Sequence, residues 1–139
     1  MADMPNLEEL LKQTSLRFAK SQSGAFILPF RTKSLGESVV WVGLSADGEW
    51  IGIRHGLRAT LPENATDQSS FFRRLLEINE TLAMAKILVQ DKVVAVGTEL
   101  DYKGATPEQL EVAVRVVVSA AADVTQQLSQ NADPLVQAP

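Results

Sequence analysis

Apolar residues recur every three or four positions along three segments of the chain, which is the spacing that places side chains on one helical face. The segments cover residues 6–21, 67–83 and 106–130. The first opens at Asn6, a residue type that caps helices, and the last opens at Thr106, which is followed by a proline in the first helical position. We therefore predict three helices, the second of which carries an unusually wide apolar stripe.

Five shorter segments predict β-strands, because they alternate between apolar and polar residues or are rich in β-branched and aromatic residues. An Asp47-Gly48 pair marks a hairpin turn between the second and third of these segments. Pro29 indicates that the first strand ends there or lies at an edge of the sheet. The predicted strands cover residues 25–30, 38–45, 50–55, 85–90 and 92–101.

The predicted element order is α-β-β-β-α-β-β-α. It contains no repeated strand–helix–strand unit, so it does not favour a doubly wound parallel sheet. We expect an α+β fold in which the helices pack on an antiparallel five-stranded sheet. Residues 1–130 are predicted to form a single domain. Residues 131–139 contain two prolines and no periodicity, and they are predicted to form a flexible C-terminal tail.

Composition narrows the chemistry that the chain could perform. Its 139 residues include no cysteine and one histidine, His55, so disulfides, thiol nucleophiles and thiolate zinc sites are excluded. Thirteen basic residues against 17 acidic ones give a net charge of −4, which disfavours a nucleic-acid partner. We find no catalytic, metal-binding or cofactor-binding motif. The expected protein is therefore not an enzyme and carries no cofactor.

The first residues of the chain lack the basic segment and apolar stretch of a secretion signal. The longest unbroken apolar runs span three or four residues, whereas a membrane-spanning helix needs about 20. We therefore expect a cytoplasmic protein that has no membrane partner.

Two segments carry a family resemblance. One is FRRLLEINETLAMAKI, from Phe72 to Ile87, which is followed by a short predicted hairpin. The other is ATPEQL, from Ala105 to Leu110, which opens the last helix. Together with the element order, they resemble the bacterial YbjN-type domains that are labelled as sensory transduction regulators. The resemblance is closest over residues 71–124.

That resemblance implies the fold of the type III secretion chaperones and a homodimer. Those chaperones present apolar patches on which an extended segment of a client protein lies. The resemblance implies no catalytic residue. By analogy, the expected partner is a client or regulatory protein, although a shared fold does not by itself determine function.

Apolar helix surface is the feature that most directly suggests association. The second and third predicted helices have more apolar residues than contact with a sheet requires, and large apolar patches are unusual on monomers. A twofold dimer would cover the excess; burial of both helices within one chain is the alternative. Trp41 and Trp50, beside the hairpin turn, either pack internally or anchor a partner. The candidate dimer or partner contacts are Phe71, Phe72, Leu75, Leu76, Ile78, Trp41 and Trp50.

Two alternative functions rest on charged residues. The candidate anion contacts Arg54, Arg73 and Arg74 would serve a domain that senses a small ligand, unless the latter two simply pair with Glu77 on a solvated helix. An enzyme would need His55 close to a carboxylate of the last strand; otherwise this histidine is expected at the surface.

Overall fold

The chain forms three helices and six strands over residues 6–136, the part that the computed structural model of the protein describes, with backbone alone at residue 58 and residues 130–136. The helices are α1 (Leu7–Lys12), α2 (Ala65–Glu80) and α3 (Pro107–Val136). The strands are β1 (Ala19–Lys20), β2 (Phe26–Thr32), β3 (Gly36–Leu44), β4 (Trp50–Thr60), β5 (Lys86–Gln90) and β6 (Val93–Asp101).

All six strands form one antiparallel sheet in the order β1-β2-β3-β4-β6-β5. The neighbouring strands β4 and β6 are not consecutive in the chain, because α2 and β5 lie between them in the sequence. The predicted α+β class and the antiparallel pairing are confirmed. The predicted number of five strands is wrong, because the two-residue strand β1 adds a sixth and is too short to show any alternation.

The first helix is much shorter than predicted. Asn6 caps it as expected, accepting a hydrogen bond from the Glu9 amide at 2.8 Å, but the helix ends at Lys12 rather than near residue 21. The amide and hydroxyl of Ser15 both donate to the Glu111 carboxylate on α3, at 2.9 and 2.6 Å. This anchor redirects the chain toward β1, where it pairs with β2.

Other boundaries also differ by a few residues from the sequence prediction, and two of them shorten the predicted loop between β4 and α2. Strand β4 continues to Thr60, through a register irregularity after Gly56, and so takes up part of the predicted loop. Helix α2 begins at Ala65, because Asn64 caps it by accepting from the Asp67 amide at 2.8 Å. Both changes extend an element into residues whose local sequence is typical of a turn or a cap. At its other end, α2 stops at Glu80 rather than at Ala83.

Helix α3 confirms the prediction of a last helix and supplies much of the core. It packs across β4 and β6, and its buried face meets the buried residues of those strands. The fully buried positions on that face are Leu110, Val114, Val117, Ala121 and Val124. Helical backbone continues to Val136, into the predicted tail. The flexibility of that tail stays a prediction, and residues 1–5 and 137–139 lie outside the described residues.

The two faces of the sheet differ in what covers them. Val40 and Val42 on β3, and Ile51 and Ile53 on β4, are fully buried beneath the helices. The alternate residues of the same strands project from the opposite face, where several large apolar side chains are exposed. We call this opposite side the open face of the sheet.

Candidate protein-binding surfaces

The two tryptophans of the chain stand on the open face. Trp41 is 44% exposed and Trp50 is 45% exposed. They lie two residues before Gly43 and Gly52 respectively, and these glycines are direct cross-strand partners of β3 and β4. The two indole rings therefore flank a glycine pair. We call this arrangement the tryptophan slot.

The floor of the slot is bare backbone, and the space above it is open rather than filled by neighbouring atoms. A Cβ built on Gly52 would meet no atom closer than 3.8 Å, and one on Gly43 none closer than 3.6 Å. Gly97 differs, because a Cβ there would lie 2.8 Å from the Ile53 carbonyl oxygen. Close approach of the neighbouring backbone therefore requires glycine at position 97. At Gly43 and Gly52, packing within the chain does not require glycine.

A shallow cavity of about 370 Å³ lies over the slot. Besides the two tryptophans and the glycines, its lining includes Arg54, Gln90 and Glu99. Arg54 stands opposite Trp41 in the register, and Glu99 stands opposite Gly52. The Glu99 carboxylate is paired with the Lys86 ammonium at 3.0 Å, so opposite charges border the aromatic slot.

The apolar stripe of α2 divides between the core and the surface. Leu75 and Ile78, predicted as partner contacts, are each only 4% exposed and belong to this chain's own core, against which Phe71 also packs. The exposed part consists of Phe72 and Leu76, the latter 69% exposed. The prediction of excess apolar surface therefore applies to a narrower strip than the sequence indicates.

The three candidate anion contacts do not converge. Arg54 projects from the open face of the sheet, whereas Arg73 is an exposed residue of α2. The Arg74 guanidinium donates to the main-chain carbonyls of Gln127 and Leu128, at 3.2 and 3.1 Å, and so ties α2 to α3. Its role is in packing the two helices, which neither interpretation of the sequence anticipates.

His55 is buried, not at the surface as expected. It follows Ile51 and Ile53 on the covered face of β4, and only 2% of the residue is exposed. Burial lowers the pKa of His55, although hydrogen bonding to the Gly56 carbonyl opposes that shift. Nδ1 lies 2.8 Å from this carbonyl oxygen, which makes Nδ1 the donor and leaves Nε2 buried without a partner.

The proton-transfer grouping considered from the sequence is not assembled. Glu99 projects from the open face, opposite Gly52, whereas His55 projects into the core from the other face. Asp101 accepts a hydrogen bond from the Lys103 amide at 3.0 Å. Over the described residues, no three His, Asp or Glu side chains gather as metal ligands do.

Sequence reasoning missed the pairing of Gly43 with Gly52 and an apolar groove beside Met84. The first depends on the register of β3 against β4, which the Asp47-Gly48 turn could have fixed. The second joins segments that are distant in the chain. Within residues 6–136, no helix has the length and apolar content that crossing a membrane requires. The predicted cytoplasmic location stays a prediction.

Comparison with solved structures places the fold among known ones. The chain is 16% identical to the Yersinia pestis type III secretion chaperone SycH, solved with a fragment of YscM2, with a TM-score of 0.53. That alignment covers 84% of this chain and 94% of SycH. This chain is also 14% identical to a chain of the ExsC–ExsE complex, with a TM-score of 0.55. That alignment covers 91% of this chain and 96% of the other. At these identities the likeness shows the fold alone.

Family membership rests on the sequence match. No curated protein matches the chain. The family described as "Putative bacterial sensory transduction regulator", YbjN, matches residues 5–129, which is nearly the whole chain. That match contains both segments that carried the resemblance and every element from α1 through most of α3. The chain therefore belongs to the YbjN family and has the α+β fold of the type III secretion chaperones.

Proposed function

We propose that this chain is a non-enzymatic, homodimeric protein-binding module that holds a segment of a partner polypeptide in the tryptophan slot. The observation that carries the proposal is the pair of half-exposed tryptophans on either side of a glycine floor. Glycine inside a strand costs roughly 0.5–1 kcal/mol relative to alanine. At Gly43 and Gly52 no contact within the chain explains that cost, so we attribute it to a ligand that needs the space.

An extended polypeptide fits the shape of the slot. The exposed backbone of the glycine floor lets another chain approach closely, and the indole rings provide large apolar walls. Aromatic residues in such positions supply most of the binding energy at protein interfaces. The bordering charges of Arg54 and Glu99 would orient the segment more than they would add affinity.

The structural relatives support a polypeptide partner. SycH was solved in complex with a fragment of YscM2, and ExsC in complex with ExsE. By analogy with these complexes, we assign a client or regulatory protein to this chain. The charge of −4 and the buried histidine offer no support for nucleic-acid binding or proton-transfer chemistry.

We assign the exposed strip of α2 to the second copy in the homodimer. Phe72 and Leu76 lie one helical turn apart, so they form one continuous apolar strip. Arg73, Glu77 and Glu80 border the same shallow depression. A twofold axis through this strip would bring each helix against its own copy, and would leave the open face of the sheet accessible.

Quantitative affinity capture from the cells of origin tests the proposed partner. The wild-type chain should retain a defined protein that the Gly52→Val variant does not retain, because the valine side chain would fill the floor of the slot. The fold should survive this change, since valine is a favourable residue in strands. Val89→Thr serves as the control because it alters an exposed apolar residue that lies outside both the slot and the exposed strip of α2. If Gly52→Val retains the same proteins in the same amounts, the slot is not the binding site.

A further inference from the structure

A second apolar groove lies away from the tryptophan slot. It is formed by the segment before β5, the end of β6 and the first half of α3, and has a volume of about 460 Å³. Its floor consists of Leu100 and Ala113, and Met84 and Val112 stand exposed at its sides. We call it the Met84 groove.

Met84 is held in an uncommon backbone conformation. Its φ is 66°, in the left-handed region that residues other than glycine, asparagine and aspartate rarely adopt. The Thr98 hydroxyl donates to the Met84 carbonyl oxygen at 2.6 Å and fixes this conformation. The side chain is nonetheless 68% exposed, so the strain presents a flexible apolar group to solvent. Methionine is common on surfaces that bind varied peptides.

The charges at the rim of the Met84 groove are negative. Asp101 and Glu108 line it, and none of its described lining residues is basic. Gln109 also lines it, but its side chain is occupied in the cap of α3, where it accepts from the Thr106 amide at 3.1 Å. The groove therefore combines an apolar floor with two carboxylates.

We propose that the Met84 groove binds a segment of a partner polypeptide in which aliphatic or aromatic side chains are flanked by lysine or arginine. The apolar side chains would cover Leu100 and Val112, and the basic groups would meet Asp101 and Glu108. This surface is separate from the tryptophan slot, and the proposal does not depend on the function assigned to that slot.

Charge favours such a segment over a second copy of this chain. The chain carries a net charge of −4, so two copies that met through an acidic rim would repel each other. A basic partner would instead be attracted, and the attraction would weaken with added salt.

Fluorescence anisotropy with two labelled synthetic peptides tests the proposal. Both peptides carry the same leucine and phenylalanine residues; one has lysine at the remaining positions and the other has glutamate. Met84→Asn removes the apolar side chain while supplying a residue that tolerates the backbone conformation, so the fold should survive. Val89→Thr is the control, since Val89 on β5 is also an exposed apolar residue but lies outside the groove and outside the exposed strip of α2, and threonine keeps a β-branched residue on the strand.

We expect the lysine peptide to bind the wild-type chain, and its affinity to fall about tenfold or more in Met84→Asn and not in Val89→Thr. Glu108→Gln should weaken binding and reduce its dependence on salt. Equal binding of the glutamate peptide, unchanged affinity in Met84→Asn, or no binding of either peptide would overturn the proposal. Dissociation of a dimer by Met84→Asn without any peptide binding would assign the groove to a second copy instead.

Discussion

Gly43 and Gly52 face each other across β3 and β4, and each has space for a side chain that it does not have. Gly97, opposite Arg54 on the neighbouring strand pair, has no such space. Packing within the chain therefore requires glycine at position 97. It does not require glycine at positions 43 and 52, where we attribute the glycines to a bound partner.

Substitution of the two kinds of glycine should have opposite effects on stability. Gly52→Ala should leave the free energy of unfolding unchanged or raise it by up to about 1 kcal/mol, because alanine loses less backbone entropy on folding. Gly97→Ala should lower it by about 1–3 kcal/mol, because its Cβ would press on the Ile53 carbonyl. Urea denaturation measures both. A marked loss of stability in Gly52→Ala would show that packing does require this glycine.

Leu75 and Leu76 should respond differently to the same change. Leu75→Asp places a carboxylate in the core and should destabilise the fold by more than about 3 kcal/mol. Leu76→Asp places it in solvent and should cost less than about 1 kcal/mol, but it should shift sedimentation toward the monomer. A wild-type chain that sediments only as a monomer at micromolar concentration contradicts the dimer.

Acid should destabilise the fold through His55. Because burial lowers its pKa in the folded chain, the unfolded chain binds more protons once the pH falls below about 6.5. Stability is therefore expected to decline from that pH downward, until the pH passes the folded-state pKa. His55→Leu should flatten the dependence of the urea midpoint on pH between about 7 and 5. An unchanged slope in this variant would contradict the buried, neutral histidine.

Acid should also break the hydrogen bonds between Ser15 and Glu111, and this effect should begin at a lower pH than the effect of His55. The Ser15 hydroxyl and amide, together with Arg115, lower the pKa of Glu111 to about 2. The carboxylate therefore stabilises the segment after α1 above about pH 4.5, and this contribution is lost as the pH falls toward 2. Glu111→Gln should mimic that loss at neutral pH and raise the amide exchange rate of Ser15. Arg115→Gln, which leaves both serine donors in place, should have the smaller effect.

Long elements with clear end signals could be predicted from the sequence. Thr106, Pro107 and Gln109 mark the start of α3, and its apolar spacing continues far enough to exclude a strand. Asn6 likewise marks the start of α1 correctly, but its end depends on Ser15 meeting Glu111 from the far end of the chain. A contact across such a separation has no local signal, which is why the first helix was predicted too long.

The site was less predictable because it depends on which face is covered. Leu75 and Leu76 are adjacent and identical, and only the packing of α2 against the core distinguishes them. His55 could have been placed, since it shares the alternation of Ile51 and Ile53 on β4. The exposure of Trp41 and Trp50 could not, because cross-strand packing of two such residues is equally consistent with the sequence.

The most direct test of the tryptophan slot is the intrinsic fluorescence of the chain as it is titrated with the partner recovered by affinity capture. Both tryptophans border the slot, and the chain contains two, so every tryptophan signal reports on this surface. Occupation of the slot should shift the emission to shorter wavelength in a saturable manner, and Gly52→Val should abolish the shift. A partner that binds without changing the emission of either tryptophan would contradict the account.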